Sequence, residues 1–425
     1  MPNSLTTLRQ RFYAWRQRRP LQRFFAALVL VVAWPVRFVL LRVWRLFSSG
    51  ETPRRVVVIQ LAGLGDVLMA TPAWAALQQH YPGVQLDLIT LHGYVTEAFQ
   101  NHPRLNSVTT LPPYSGKWII PKFVNKSSAQ LLGAVIRYYP DLILRNFFSR
   151  YDVGVSFALS DFDRNLGNAL LFCLDARKRI GSVGAGDRFL TDPVAANGNL
   201  ARAATYLQFV EPLGAVNVSS GYEFPVAPGD VESVRMALRL ENVPLRREIA
   251  VIHPGGKMHI NSRRWPAEYF ASVCHFLAQE GFEVVLAGDK DDVDVCDQIA
   301  RTPGVKMTSL AGRLTFNQTA ALLSLSSLCI TNDTSTLHLA EAVKVPRVIS
   351  IFGPTNPDIL APQNSRNIVL RSKLPCAPCM GGLIDGNTEV CWRDVKEECL
   401  WGITPDEVVG ILKELYPAAV RVARA

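Results

Sequence analysis

Apolar and polar positions along this chain fall into two successive sets of alternating short runs and helix-spaced segments. RRVVVIQL (Arg54–Leu61) reads as a strand, DVLMATPAWAALQQHYP (Asp66–Pro82) as a helix, VQLDLIT (Val84–Thr90) as a strand and YDVGVSFA (Tyr151–Ala158) as a later one. A second set starts near Glu248. REIAVIHPGG is a strand running into a glycine turn, WPAEYFASVCHFLAQEG a helix with proline in its first turn and glycine at its end, and FEVVLAGD another strand. TFNQTAALLSLS, LCITND, STLHLAEAVKV and PRVISIFGPTNP continue the alternation. Strands that alternate with helices predict parallel sheets covered on both faces. The stretch FPVAPGDVESVRMALRLENVPLRRE, rich in turn residues at its start, is the expected linker and first helix of a second domain. The prediction is therefore an α/β protein of two Rossmann-like βα domains facing a cleft, at 54–228 and 229–425, preceded by a separate segment, 1–53.

Charge sets that leading segment apart. Of the 45 basic and 36 acidic residues, eleven arginines and one acid fall in 1–55, which leaves 34 basic and 35 acidic residues for the rest. The basic balance belongs to the tail, so nucleic acid is not expected as a partner. The tail also carries an apolar run of thirteen residues, Phe24–Val36, containing Pro35. As a helix it reaches about 20 Å, short of a hydrocarbon core about 30 Å thick. In the following Arg37–Phe47 the arginines Arg37, Arg42 and Arg45 share one helical face opposite apolar residues, the pattern of a helix lying in a membrane interface. A tilted span over Phe24–Phe47 and a cleaved signal peptide are the alternatives, the second weakened by the long charged leader. The expected location is the cytoplasmic face of a bacterial inner membrane, held by 1–53.

Three glycine- or hydroxyl-rich turns carry the candidate chemistry. In VVVIQLAGLGDVLMATPA, Gly63 and Gly65 lack the third glycine of a dinucleotide fingerprint and are followed by Asp66. A carboxylate about 4 Å from a phosphate repels it by roughly 4 kcal/mol at an effective dielectric near 20, which disfavours a nicotinamide cofactor here. Asp66 is either a helix-capping carboxylate or a general base at a strand's C-terminal end. In TNDTSTLHLAEA, the amides and hydroxyls of Thr334, Ser335 and Thr336 open a helix suited to a diphosphate. In HPGGKMHINSRRWP, Lys257, Arg263 and Arg264 could neutralise a departing diphosphate, with solvated surface charge as the alternative. His338 is a ligand residue or a packed core histidine.

Taken in order, GLGDVLMATPA, HPGG, RRWP, DTSTLHLA and FGPT resemble glycosyltransferase family 9, the ADP-heptose:lipopolysaccharide heptosyltransferases, over roughly 54–409. The resemblance implies a GT-B architecture and an inverting transfer of heptose from ADP-heptose to a hydroxyl of an acidic lipopolysaccharide-core glycolipid. It implies Asp66 as general base, Arg264 at the phosphate-binding basic position, and Asp333, Thr334 and Ser335 holding sugar and diphosphate. His338 lies in the same motif, and Asp292 matches an acidic residue near the ribose. No cofactor is required for that chemistry. Another nucleotide sugar, a protein acceptor, or a non-catalytic membrane-docked binding protein is the alternative. Ser335 stands where the family usually has glycine, so a positive φ there would mean strain.

Two features lie outside the shared core. Between Pro112 and Arg150, Lys117, Lys122, Lys126, Arg137, Arg145 and Arg150 face a single acid, Asp141; Lys117 and Lys122, with Gly63 and Gly65, are the candidate acceptor-side residues. Cys376, Cys379, Cys391 and Cys399 form C-x2-C-x11-C-x7-C, a spacing that can hold structural zinc or iron, with reduced thiols or a redox-labile disulfide as the alternatives. The other four, Cys173, Cys274, Cys296 and Cys329, read as buried thiols. The C-terminal helix is a candidate to pack back on the first domain.

Overall fold

The computed structural model describes residues 52–111, 130–133, 135, 139, 142, 151–184, 186–216, 221–256, 263–379, 391, 394–395 and 397–417. The tail up to residue 51 lies outside the described residues, as do Lys117, Lys122 and Lys257. No helix among the described residues is long and apolar enough to cross a membrane. Packing divides the chain into two compact units: 1–63, 72–197 and 205–219 in one, and 64–71, 198–204 and 220–425 in the other. The division differs from a single cut at 228, since the linker start and the two turns that carry Asp66 belong with the second unit.

The first unit is a six-stranded, wholly parallel sheet in the order β3-β2-β1-β4-β5-β6, formed by β1 (Arg55–Ile59), β2 (Gln85–Thr90), β3 (Leu105–Thr110), β4 (Val153–Ser156), β5 (Lys178–Ser182) and β6 (Asp192–Val194). Val56, Val57, Val58 and Ile59 are fully buried, as expected of a central strand covered on both faces. Asp87 would be out of place in such a sheet unpaired. It accepts from Arg55 Nε at 2.7 Å, Asn106 Nδ2 at 2.8 Å and Ser107 Oγ at 2.6 Å, so its charge is balanced in place.

Helix α1 (Leu64–His80) starts from Gly63 and contains Pro72. Proline has no N–H to give to the carbonyl four residues back. The hydroxyl of Thr71 takes over, donating to the Leu68 carbonyl at 2.6 Å, which explains why threonine precedes the proline in this motif. The boundary between the two compact units falls at this interruption.

The second unit repeats the arrangement. Its strands are β7 (Ile249–His253), β8 (Glu283–Leu286), β9 (Thr308–Ser309), β10 (Leu328–Asn332), β11 (Arg347–Phe352) and β12 (Asn367–Arg371), all parallel, in the order β12-β11-β10-β7-β8-β9. Counted within their own unit, both sheets have the doubly wound order in which ligands bind beyond the C-terminal ends of the two strands flanking the reversal. Here those strands are β7 and β10. The C-terminal helix, Pro405–Leu415, starts with a Thr404/Glu407 capping box and buries Val408 and Leu412 in the core of the second unit. Its Lys413 lies 5.8 Å over the ring of Phe276, so this helix packs within its own unit. Cys173, Cys274, Cys296 and Cys329 are buried free thiols, and burial pushes those of Cys173, Cys296 and Cys329 up to about 12.

Candidate functional site

The ends of β7 and β10 are tied together by one residue that the sequence motifs did not single out. Asn332, the last residue of β10, is fully buried; its amide donates to the carbonyls of Pro254 at 2.9 Å and Gly255 at 3.0 Å, and its oxygen accepts from Trp265 N–H at 3.1 Å. The HPGG turn, the RRWP turn and the following Asp333 are thereby held in one frame. Trp265, fully buried, is fixed in turn by donating from its indole nitrogen to the Ile403 carbonyl at 2.8 Å.

Arg264 and Asp292 face each other within this frame. Nη2 of Arg264 lies 3.0 Å from Asp292 Oδ1 and also donates to the Gly256 carbonyl, to which Nε donates at 3.1 Å. Asp292, 3% exposed, further accepts from Gly256 N–H at 3.3 Å and Asp289 N–H at 3.2 Å, and lies 3.8 Å from His253 Nε2. A side chain on Gly255 would meet the Asp292 carboxyl group at 2.1 Å, so glycine is required there by close approach. Burial lowers the His253 pKa below the usual histidine range, against the pull of Asp292 and Asp289. The guanidinium of Arg264 and the carboxylate of Asp292 thus brace the glycine turn between them.

Arg263, its neighbour, is placed differently. Its Nη1 is 3.4 Å from Asp333 Oδ2, and neither Arg263 Nε nor Asp333 Oδ2 has a hydrogen-bond partner among the described residues, although both atoms are buried. Helix Ser335–Ala342 starts directly after, with the Thr334 hydroxyl as cap accepting from Thr336 N–H at 3.3 Å. Ser335 is the first helical residue and is not among the described residues with positive φ, so the serine-for-glycine difference introduces no strain. The HPGG turn reaches this helix start, a Gly256 Cβ position lying 3.7 Å from the Thr334 methyl.

His338, one turn along, is 4% exposed and its Nδ1 has no hydrogen-bond partner among the described residues. The turn before α1 packs on it. A Cβ on Gly65 would fall 2.9 Å from His338 Cδ2 and 3.8 Å from Ser335 Cα, so only glycine allows this approach. Asp66, the third residue of α1 and half-buried, acts electrostatically on the His338 ring together with Asp333. Burial outweighs both carboxylates and holds the ring below the usual histidine range, so it is neutral at pH 7. Asp66, Asp333, His338 and Arg263 are therefore brought to one place, with Thr334, Ser335 and Thr336 at the helix start beside them. Gly63 is the residue from which α1 starts.

The chain has counterparts among known proteins. Residues 168–383 match the description "Glycosyltransferase family 9 (heptosyltransferase)". The chain belongs to glycosyltransferase family 9. It is similar to a lipooligosaccharide heptosyltransferase 2 of Campylobacter jejuni, 24% identical over 358 residues that make up 83% of this chain and 96% of the relative. In fold it is similar to a family 9 glycosyltransferase from Veillonella parvula, with a TM-score of 0.68, 19% identity, and 85% and 97% of the two chains covered. The E. coli heptosyltransferase WaaC with ADP-2-deoxy-2-fluoro heptose gives a TM-score of 0.59 at 17% identity, covering 85% of this chain and all of that one.

Against this family 9 frame the cysteine-rich segment stands apart. Cys376, Cys379, Cys391 and Cys399 are free thiols, and no group of three or more His, Cys, Asp or Glu side chains among the described residues is arranged to hold a metal ion. The four are nonetheless neighbours: burial first, then Cys379, Cys391 and Cys376, push the Cys399 thiol up to about 11.

Proposed function

We propose that this family 9 glycosyltransferase moves heptose from ADP-heptose to a hydroxyl of a lipopolysaccharide-core glycolipid, with inversion at the anomeric carbon. The observation that carries the reading is the set of buried polar atoms without hydrogen-bond partners among the described residues around the start of helix Ser335–Ala342: Asp333 Oδ2, Arg263 Nε and His338 Nδ1. Buried polar groups are almost always paired, and a polyhydroxylated, doubly charged ligand supplies what these three lack. The similarity to lipooligosaccharide heptosyltransferases and to a structure holding an ADP-heptose analogue supports the choice of donor.

In this reading Asp66 takes the acceptor hydroxyl proton as that oxygen bonds to the anomeric carbon, and the bond to ADP breaks with its electron pair leaving on the diphosphate. Arg263 and the first amides of helix Ser335–Ala342 stabilise the charge that develops there. Asp333 accepts from sugar hydroxyls. Arg264 and Asp292 act at one remove, by holding the glycine turn, in place of the phosphate and ribose contacts expected from the sequence. The carboxylate base and cationic clamp supply this chemistry without a metal cofactor.

A panel of ADP-, GDP- and UDP-sugars with membrane glycolipid extracts tests the donor. ADP release from ADP-heptose, dependent on the extract, is expected; turnover of a different nucleotide sugar with none from ADP-heptose overturns it.

The arginine-rich, apolar segment 1–53 supports a further reading, that the enzyme works on the anionic cytoplasmic face of the inner membrane. Equal solubility of chains with and without that segment would refute it. The four neighbouring thiols are a donor set that suits structural zinc or iron, whose charge would let them ionise. Equal metal content in the purified protein and its Cys379→Ser variant would count against that site.

A further inference from the structure

His338 stands at the centre of the site, yet among the described residues its Nδ1 makes no hydrogen bond that would fix the rotation of the ring. Its orientation must then come from the groups packed around it. Gly65 forms one wall, close enough that a methyl group there would sit 2.9 Å from Cδ2. Tyr222 forms another: its ring centroid lies 5.8 Å from that of His338 with the planes inclined at 54°.

Tyr222 comes from a connecting segment with no regular structure of its own, so what holds it must be found outside that segment. Two contacts do this. Lys344 Nζ donates to the Tyr222 carbonyl at 3.0 Å, and the next residue, Glu223, donates from its N–H to the Thr71 hydroxyl at 3.0 Å. Thr71 is the residue that compensates for Pro72 in α1, so the same hydroxyl serves the helix that carries Asp66 and the segment that carries Tyr222.

The lysine is itself held in place. It has a left-handed backbone (φ 65°) just beyond the helix that bears His338, and its ammonium lies 3.7 Å from Glu341. Glu341, 5% exposed, also accepts from Asn364 Nδ2 at 2.8 Å and from Arg366 Nη2. A Cβ at Gly221 would fall 2.9 Å from Lys344 Nζ and 3.1 Å from Glu341 Oε1. Glycine before Tyr222 is what lets the lysine reach over the chain.

We propose that Tyr222 is a positioning residue for the transfer reaction: its ring holds His338 against the Gly65–Asp66 turn, and the Lys344–Glu341 pair latches it there. The proposal rests on the reading of this site as the transferase centre. The phenol is not a general base, since burial, Glu341 and Asp66 all raise its pKa and keep it protonated. The ring acts by shape, and misplacing a group that bounds a reacting centre by about 1 Å costs on the order of 100-fold in rate.

The test compares Tyr222→Phe, Tyr222→Leu and Lys344→Met in the full-length enzyme with wild type. Phenylalanine keeps the wall and should keep kcat within about twofold, while leucine should lower kcat by about 10- to 100-fold and leave ADP affinity, measured by calorimetry, within about threefold. Lys344→Met, which leaves the ring in place but unlatched, should fall between them. A leucine variant with wild-type kcat, or a phenylalanine variant as impaired as leucine, overturns the proposal. An independent reading needs no substrate. The His338 imidazole signal in the NMR spectrum of the ligand-free protein should titrate nearer the ordinary histidine range in Tyr222→Leu and unchanged in Tyr222→Phe. If wild type transfers no heptose but the histidine signal behaves in this way, the donor assignment fails and the positioning role stands. An unmoved signal in Tyr222→Leu sinks the positioning role whatever the donor.

Discussion

Asp66→Asn should give a folded enzyme that still binds its nucleotide sugar and transfers it about 10²- to 10⁴-fold more slowly, the range over which a positioned general base acts. Asparagine keeps the shape and loses the proton-accepting charge. The structural cost is small because the side chain is half-buried in the first turn of α1. Losing a first-turn carboxylate from a helix costs about 0.3–1 kcal/mol. Thermal unfolding, ADP affinity and initial rates of ADP release, measured on one preparation, separate the effects. A rate within a few-fold of wild type would remove Asp66 from the chemistry, and a loss of donor affinity equal to the loss of rate would make it a binding residue instead.

The sequence pattern carried the sheet-and-helix alternation well because parallel strands buried on both faces read as continuous apolar runs, such as Val56–Ile59 and Leu328–Ile330. It also carried the residues whose role follows from the strand-turn-helix they sit in. Asp66, Asp333, Thr334 and His338 are each within a few residues of a strand end, and the structure brings them to one place. What it could not carry is any role decided by a partner distant in the chain. Asn332 looks like a strand's last residue until Pro254, Gly255 and Trp265, 67 to 78 positions away, are seen to meet it. Tyr222 lies in what reads as a plain connection. Its importance depends on Lys344, 122 positions later, and its only local sign is the glycine before it.

The pair Arg263–Arg264 shows the same limit at its sharpest. Adjacent arginines in an irregular turn have no periodicity to say which faces inward, and the resemblance favoured Arg264. The deciding residue is Asp292, 28 positions on, whose buried carboxylate claims Arg264 and leaves Arg263 beside Asp333.

That division of labour gives opposite expectations for two neighbouring substitutions. Arg263→Ala should lower kcat/KM by about 10²- to 10³-fold, the effect of removing one donor aimed at developing charge, with little change in melting temperature. Its 3.4 Å contact with Asp333 is long for an ion pair and includes no hydrogen bond, so the fold loses little with it. Arg264→Ala should act first on stability. It strips the cation from a carboxylate that is 4% exposed, a loss of about 3 kcal/mol or more, equivalent to roughly 6–12 °C in melting temperature for a unit of this size. Activity should fall with it, because Gly256 and the turn it belongs to lose their brace. Lysine is the informative second replacement. At 263 it keeps the charge beside Asp333 and should restore part of the rate, whereas at 264 it cannot reach both the Gly256 carbonyl and Asp292 as the planar fork does and should recover little stability. If Arg264→Ala keeps its melting temperature and loses rate while Arg263→Ala keeps both, the phosphate cation is Arg264 after all and the inward-facing geometry belongs to a ligand-free state.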